Sequence, residues 1–138
     1  MKSSEKEKLI REAGLVKVNS YSPYSKFRVG AALLIKNGEI ISGANVESCS
    51  YVCGVCAERN ALTTAYGKGY RKDDIVAMAL CGDAKEFTTP CGMCRQLMCE
   101  LLDPECPLFL INGKNEIKEI KIKKLLPYFF DESQLGGK

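Results

Sequence analysis

The chain reads as an α/β protein with a mixed five-stranded sheet and helices on both faces. Three observations predict this. Strand-length apolar runs and helix-length stretches alternate through the second half of the chain, and strand–helix–strand order implies parallel pairing through crossovers. An Asn37-Gly38 dipeptide divides two apolar runs as a hairpin turn would. A length of 138 residues with 46% hydrophobic and 27% charged side chains suits one globular domain spanning 1–138 with a core of its own.

Residues 4–18 form the first expected element, an amphipathic helix with Leu9, Ile10, Ala13 and Val16 on one side. Pro23, among serines and tyrosines in "SYSPYSKF", interrupts the pattern. Residues 27–46 read as a hairpin, "FRVGAALLIK" pairing with "EIISGANV". "CAERNALTTAYGKG" is expected to be helical, with Gly67 and Gly69 at its end. "DIVAMALCG" is a continuous apolar run suited to a buried strand. "TPCGMCRQLMCELL" returns to helix and "CPLFLING" to strand. Residues 116–122 alternate loosely, as an edge strand does, and "KKLLPYFF" is expected to close with a short helical turn.

Composition narrows the chemistry. The formal net charge of +3 is too small to argue for nucleic acid. No apolar run approaches the ~20 residues of a membrane span, and "MKSSEKEKLIREAG" lacks the apolar stretch of a signal peptide. A cytoplasmic, reducing compartment is the expectation, where cysteines serve as thiols, ligands or catalytic groups. There are eight of them and no histidine. Any acid–base work near neutral pH therefore falls to a carboxylate, a thiol, a lysine or a tyrosine.

Two Cys-x-x-Cys pairs stand out, Cys53/Cys56 and Cys91/Cys94. Together they would suit a closed structural zinc site. However, Glu58 follows Cys56 by two residues, and a structural clip has no use for it. The other arrangement uses Cys56, Cys91 and Cys94 and leaves one tetrahedral position open for water, with Glu58 as its proton carrier. Cys56 begins one expected helix, and Cys91 and Cys94 occupy the first turn of another after Pro90. Helix starts carry partial positive charge, which favours thiolates.

"CAE" followed by "PCGMC" resembles the zinc nucleoside deaminase signature, whose mechanism is known. "SPYSKFRVGAAL", "GANVES", "CAERNAL", "PCGMCRQ" and "LLPYFF" are similar, in order and spacing, to the small cytidine deaminases with all-cysteine zinc ligands. The resemblance covers nearly the whole chain. It implies a three-layer cytidine-deaminase-like fold and hydrolytic deamination of cytidine and 2′-deoxycytidine in pyrimidine salvage. It also implies Zn2+ on Cys56, Cys91 and Cys94, with Glu58 moving protons between water, the ring N3 and the departing ammonia. Arg59 would hydrogen-bond a ligating sulfur and draw off charge. Asn45 and Glu47 would hold ribose hydroxyls, Phe27 would pack on the base or sugar, and Ala57 and Cys49 would also contact the substrate. Tyr51 and Phe130 would act across subunits of a homotetramer with shared active sites, although Tyr128 and Phe129 flank the second position.

The remaining cysteines have plainer expectations. Cys53 reads as a small apolar residue, with a fourth-ligand role as the alternative, and Cys81, Cys99 and Cys106 read as core. The lysines of "KNEIKEIKIKK" alternate with Glu116 and Glu119 and carry no aromatic between them, so a solvated edge strand is expected rather than a nucleic-acid surface. Three other functions compete: deamination of a nucleoside antibiotic of the blasticidin type, polynucleotide editing, and a redox role for the cysteine pairs.

Overall fold

A computed structural model describes residues 1–136. Five strands form one sheet in the order β2-β1-β3-β4-β5. They are β1 (Val29–Ile35), β2 (Ile40–Ala44), β3 (Ile75–Gly82), β4 (Pro107–Ile111) and β5 (Ile117–Lys121). Three helices complete the fold: α1 (Ser3–Val16), α2 (Ala57–Gly67) and α3 (Gly92–Leu101). Only β3 and β4 pair in parallel; the other three pairings are antiparallel. The sheet is mixed as expected, but one strand–helix–strand unit differs. The β2-α2-β3 unit passes over β1, so β2 and β3 run the same way without being neighbours.

Strand alternation divides the core in two. Ala31, Leu33 and Ile35 of β1, Met78 and Leu80 of β3, and Leu108 and Leu110 of β4 face α2 and α3. Ala32 and Leu34, Ala77, Ala79 and Cys81, and Phe109 and Ile111 face α1, which contributes Leu9 and Ala13. Helices therefore cover both faces. Cys81, Cys99 and Cys106 are all buried, as their expected core role requires.

The Asn37-Gly38 turn joins β1 to β2 with Gly38 at φ +93°, a conformation that favours glycine. Gly43 of β2 answers a different need. A Cβ there would stand 2.8 Å from the Ala61 backbone nitrogen of α2, so only glycine lets this helix lie so close to the sheet. Helix α2 ends in a Schellman motif: Tyr70 N–H donates to the Ala65 carbonyl and Gly69 N–H to that of Tyr66.

The C-terminal segment corrects one expectation. The helical turn falls at Ile122–Lys124, earlier than "KKLLPYFF" suggested. Pro127 explains this, because it disfavours helical backbone at Leu126 and offers no N–H of its own. The edge strand β5 is mostly exposed, and Lys121 and Lys123 both pair with Glu105.

Candidate active site

The sheet brings two distant helix starts together. Strands β2 and β3 point the same way, so α2 and α3 both begin beyond the carboxyl ends of their strands. Cys56 is the N-cap of α2 and Cys91 the N-cap of α3, one step outside the first turn where Cys91 was expected. Neither side chain caps its helix. The thiols are instead directed into a cluster: Cys56, Cys91 and Cys94 hold their sulfurs within 4.8 Å of one another.

Local bonding fixes these positions. Val46 and Val55 exchange backbone hydrogen bonds of 2.9 and 2.8 Å, which close the loop leading to Cys56. Asn60 of α2 donates from Nδ2 to the Ala44 carbonyl at the end of β2, 3.0 Å away. On the other side, Arg95 donates to the carbonyls of Pro90 and Leu125, tying the approach to α3 to the C-terminal segment.

The trio fits zinc by its chemistry. Three soft thiols are a preferred zinc donor set, and sulfurs bound tetrahedrally at about 2.3 Å lie roughly 3.8 Å apart, which the observed cluster accommodates. The thiols share protons unequally. The Cys94 thiol donates to Cys56 and, with help from Cys91 and the Arg59 charge and against the effect of burial, lowers Cys56 to about 6. Cys94, as the donor and a buried group, is held well above the ordinary thiol range. Cys53 does not join the cluster. It is exposed on a short turn at Tyr51–Cys53, with its sulfur 3.6 Å from the Ser50 hydroxyl. Among the described residues the cluster therefore offers three sulfur donors, one fewer than a closed tetrahedral site needs.

Glu58 lies in the first turn of α2 and is 5% exposed. Burial pushes its carboxyl up to about 7; its own backbone N–H opposes this and the Cys56 charge adds to it. A group that titrates near neutrality can both accept and donate a proton under working conditions.

A cavity of about 550 Å³ opens beside the thiols, and Cys56, Cys91, Arg59, Met93, Tyr51, Asn45 and Glu47 are among the residues of its wall. Glu47 is held by the turn before β1: Tyr24 and Ser25 N–H groups donate to Oε1 at 3.1 Å each, and the Ser25 hydroxyl donates to Oε2. Asn45 is largely committed to the fold. Its Oδ1 accepts from Val29 N–H and the Ser20 hydroxyl, and its Nδ2 donates to the Phe27 carbonyl.

Other expected residues lie elsewhere. Phe27 is half-buried against the α2/α3 side of the core and is not in the cavity wall. Ala57 is fully buried at the start of α2. Cys49 is exposed and outside the wall. Phe130 is 57% exposed and outside the wall of its own chain's cavity, with its carbonyl accepting from Gln96 Nε2. Arg59 donates to the Gly54 carbonyl and to Met93 Sδ rather than to a sulfur of the trio, so its influence on Cys56 is one of charge. Ser25 and Met93 were not singled out from the sequence. Ser25 had a local signal, since a serine hydroxyl two residues before a backbone N–H forms a characteristic turn.

A family model described as the cytidine and deoxycytidylate deaminase zinc-binding region matches residues 3–109. The chain belongs to the cytidine deaminase family. It is 46% identical over 132 residues to a cytidine deaminase of Halalkalibacterium halodurans, covering 96% of this chain and 98% of that one. A blasticidin-S deaminase of Bacillus cereus is more distant, 29% identical over 130 residues, covering 90% of this chain and 91% of that one. Among solved structures, the cytidine deaminase of Burkholderia pseudomallei superposes with a TM-score of 0.87 at 38% identity, covering 94% of this chain and all of that one. The cytidine deaminase sheet order and helix placement thus accompany the sequence match.

Proposed function

We propose that the chain catalyses hydrolytic deamination of cytidine and 2′-deoxycytidine to uridine and 2′-deoxyuridine with release of ammonia, in pyrimidine salvage. One observation carries this: three thiols from two helix starts converge beside a buried carboxyl, Glu58, two residues past the first of them. Cys56, Cys91 and Cys94 would hold zinc. Bound there, zinc supplies the Lewis acidity that makes water reactive near neutral pH. The rest falls to the chain. Glu58 relays both protons of the attacking water, the first to pyrimidine N3 as the C4–O bond forms and the second to the amine as the C4–N bond breaks and ammonia leaves. Its burial suits both tasks, because the neutral and ionised forms are close in free energy. Arg59 and the helix starts offset the charge of the thiolates.

Glu47 and Asn45 would receive the sugar. The anionic Glu47 accepts hydrogen bonds and repels phosphate, and Arg59, the one cation among the described wall residues, already donates to Gly54 and Met93. A nucleoside suits this wall better than a nucleotide does. The exposed apolar groups at the rim, Tyr51 at 83% and Val52 at 91%, together with Phe130, support a homotetramer in which Phe130 enters a neighbour's site. Residues 1–138 would act as one deaminase domain, in the cytoplasm. No helix among the described residues is long and apolar enough to cross a membrane.

The test is ammonia release by the zinc-loaded protein from cytidine, deoxycytidine, their 5′-monophosphates and blasticidin S. Turnover of the two nucleosides is expected. A metal-replete protein that leaves both unchanged refutes the proposal. Light scattering of the same sample, with a mass of four chains expected, tests the assembly.

A further inference from the structure

We propose that Ser25 is a positioning residue that fixes the sugar-facing carboxylate of Glu47 and leaves it a single free acceptor site; this rests on the assignment of Glu47 to the sugar. An ionised carboxylate offers about four lone-pair directions. Three are taken within the chain. Tyr24 and Ser25 N–H groups fill Oε1, and the Ser25 hydroxyl takes one direction on Oε2. One lone pair on Oε2 is left for a ligand hydroxyl.

The serine has a second attachment. Its oxygen accepts the Phe27 N–H at 3.0 Å while its proton is given to Glu47. One hydroxyl therefore couples the loop carrying Glu47 to the entry of β1. Lys26, between Ser25 and Phe27, sits at φ +60°, a left-handed conformation uncommon for a lysine, and its N–H is tied to the Ser22 carbonyl. The turn is held in a costly shape, and Ser25 is where that shape meets the wall of the cavity. Without the hydroxyl, the Phe27 N–H loses its acceptor, Oε2 loses its donor, and the carboxylate is freer to rotate.

An acceptor fixed in one direction discriminates strongly against a ligand that lacks the matching hydroxyl, and a mobile one less so. Ser25 thus sets sugar discrimination without touching the reacting atoms.

The experiment compares zinc-loaded wild type, Ser25→Ala, Ser25→Thr and Glu47→Gln with cytidine, 2′-deoxycytidine and 3′-deoxycytidine. In Ser25→Ala, KM for cytidine is expected to rise about tenfold with kcat within about twofold, the loss typical of one hydrogen bond to a charged group. The preference for cytidine over the analogue lacking the bound hydroxyl should shrink by a similar factor. Ser25→Thr, which keeps the hydroxyl, should restore both. A wild-type KM in Ser25→Ala, or a loss of the same size for every sugar, overturns the proposal while leaving Glu47 in place. A wild-type KM in Glu47→Gln overturns the sugar assignment and this proposal with it. Merely structural damage would lower thermal stability and leave the ratio between sugars unchanged.

Discussion

The carboxyl of Glu58 ionises near pH 7 in the fold and near 4.5 when unfolded, so its charge opposes folding. The cost begins as pH rises above about 4.5 and is complete above about 7, where it amounts to about 3 kcal/mol. Zinc-stripped Glu58→Gln should therefore be more stable than zinc-stripped wild type at pH 8 and similar to it at pH 4, as read by urea unfolding; parallel curves across that range would contradict this. Zinc-loaded Glu58→Gln should keep its metal and lose at least about a hundredfold in kcat, the usual worth of a general acid–base group. Cys53→Ala should keep both metal and activity, since the thiol is exposed and outside the cluster. The spacing of Cys56, Cys91 and Cys94, read with Glu58 and the resemblance to the cytidine deaminases, singled out in the sequence the three thiols that the fold clusters. The bonding of Arg59 was not legible there, because Gly54 and Met93 compete for its donors only once the loop is folded.

Among the elements, the approach of α2 to β2 decides whether Cys56 reaches its partners. Gly43→Ala would set a methyl against backbone atoms of α2, which cannot turn aside as a side chain can. A loss of about 1–3 kcal/mol in stability is expected, with weaker zinc binding in a competition titration, because the helix must shift to relieve the contact. Thr88 makes the opposite case. Its hydroxyl is buried without a partner and packs on Gly82. Thr88→Val keeps the shape and removes the unpaired group, so unfolding should require about 1 kcal/mol more. The helices, the hairpin and the buried strands were legible because each has its own period and punctuation. The 122–130 segment was not, since its apolar run resembles a helix until Pro127 is weighed against it. The antiparallel place of β1 between β2 and β3 was equally hidden, because strand order is a property of the assembled sheet.

At the scale of the molecule, Asp83 joins three parts of the fold. It pairs with Arg28 before β1 and Lys17 after α1, both at 2.8 Å, from its own position just after β3. The Arg28 contact, followed by that of Lys17, lowers its carboxyl to about 2, with partial burial opposing them. A depressed carboxyl stabilises the fold above the unfolded value near 3.9, and that contribution is lost as pH falls through about 2. Asp83→Asn should flatten the fall of stability between pH 4 and pH 2 in acid unfolding monitored by circular dichroism; an unchanged slope would assign no such role to the cluster. None of this was visible in the sequence, since β1, β2, α2 and β3 separate Asp83 from Lys17 and Arg28.

The two cysteine N-caps belong to helices with all of β3 between them. A chain that ends at β3 holds one thiol of the trio and lacks the other two. A metal held by all three thiols would therefore need α3 in place, and it would fasten two halves of the domain that are far apart in the chain. The cysteine pair that resembles a clip on the page, Cys53 with Cys56, is therefore not a unit of assembly; the fastening runs from the end of one strand–helix connection to the end of the next.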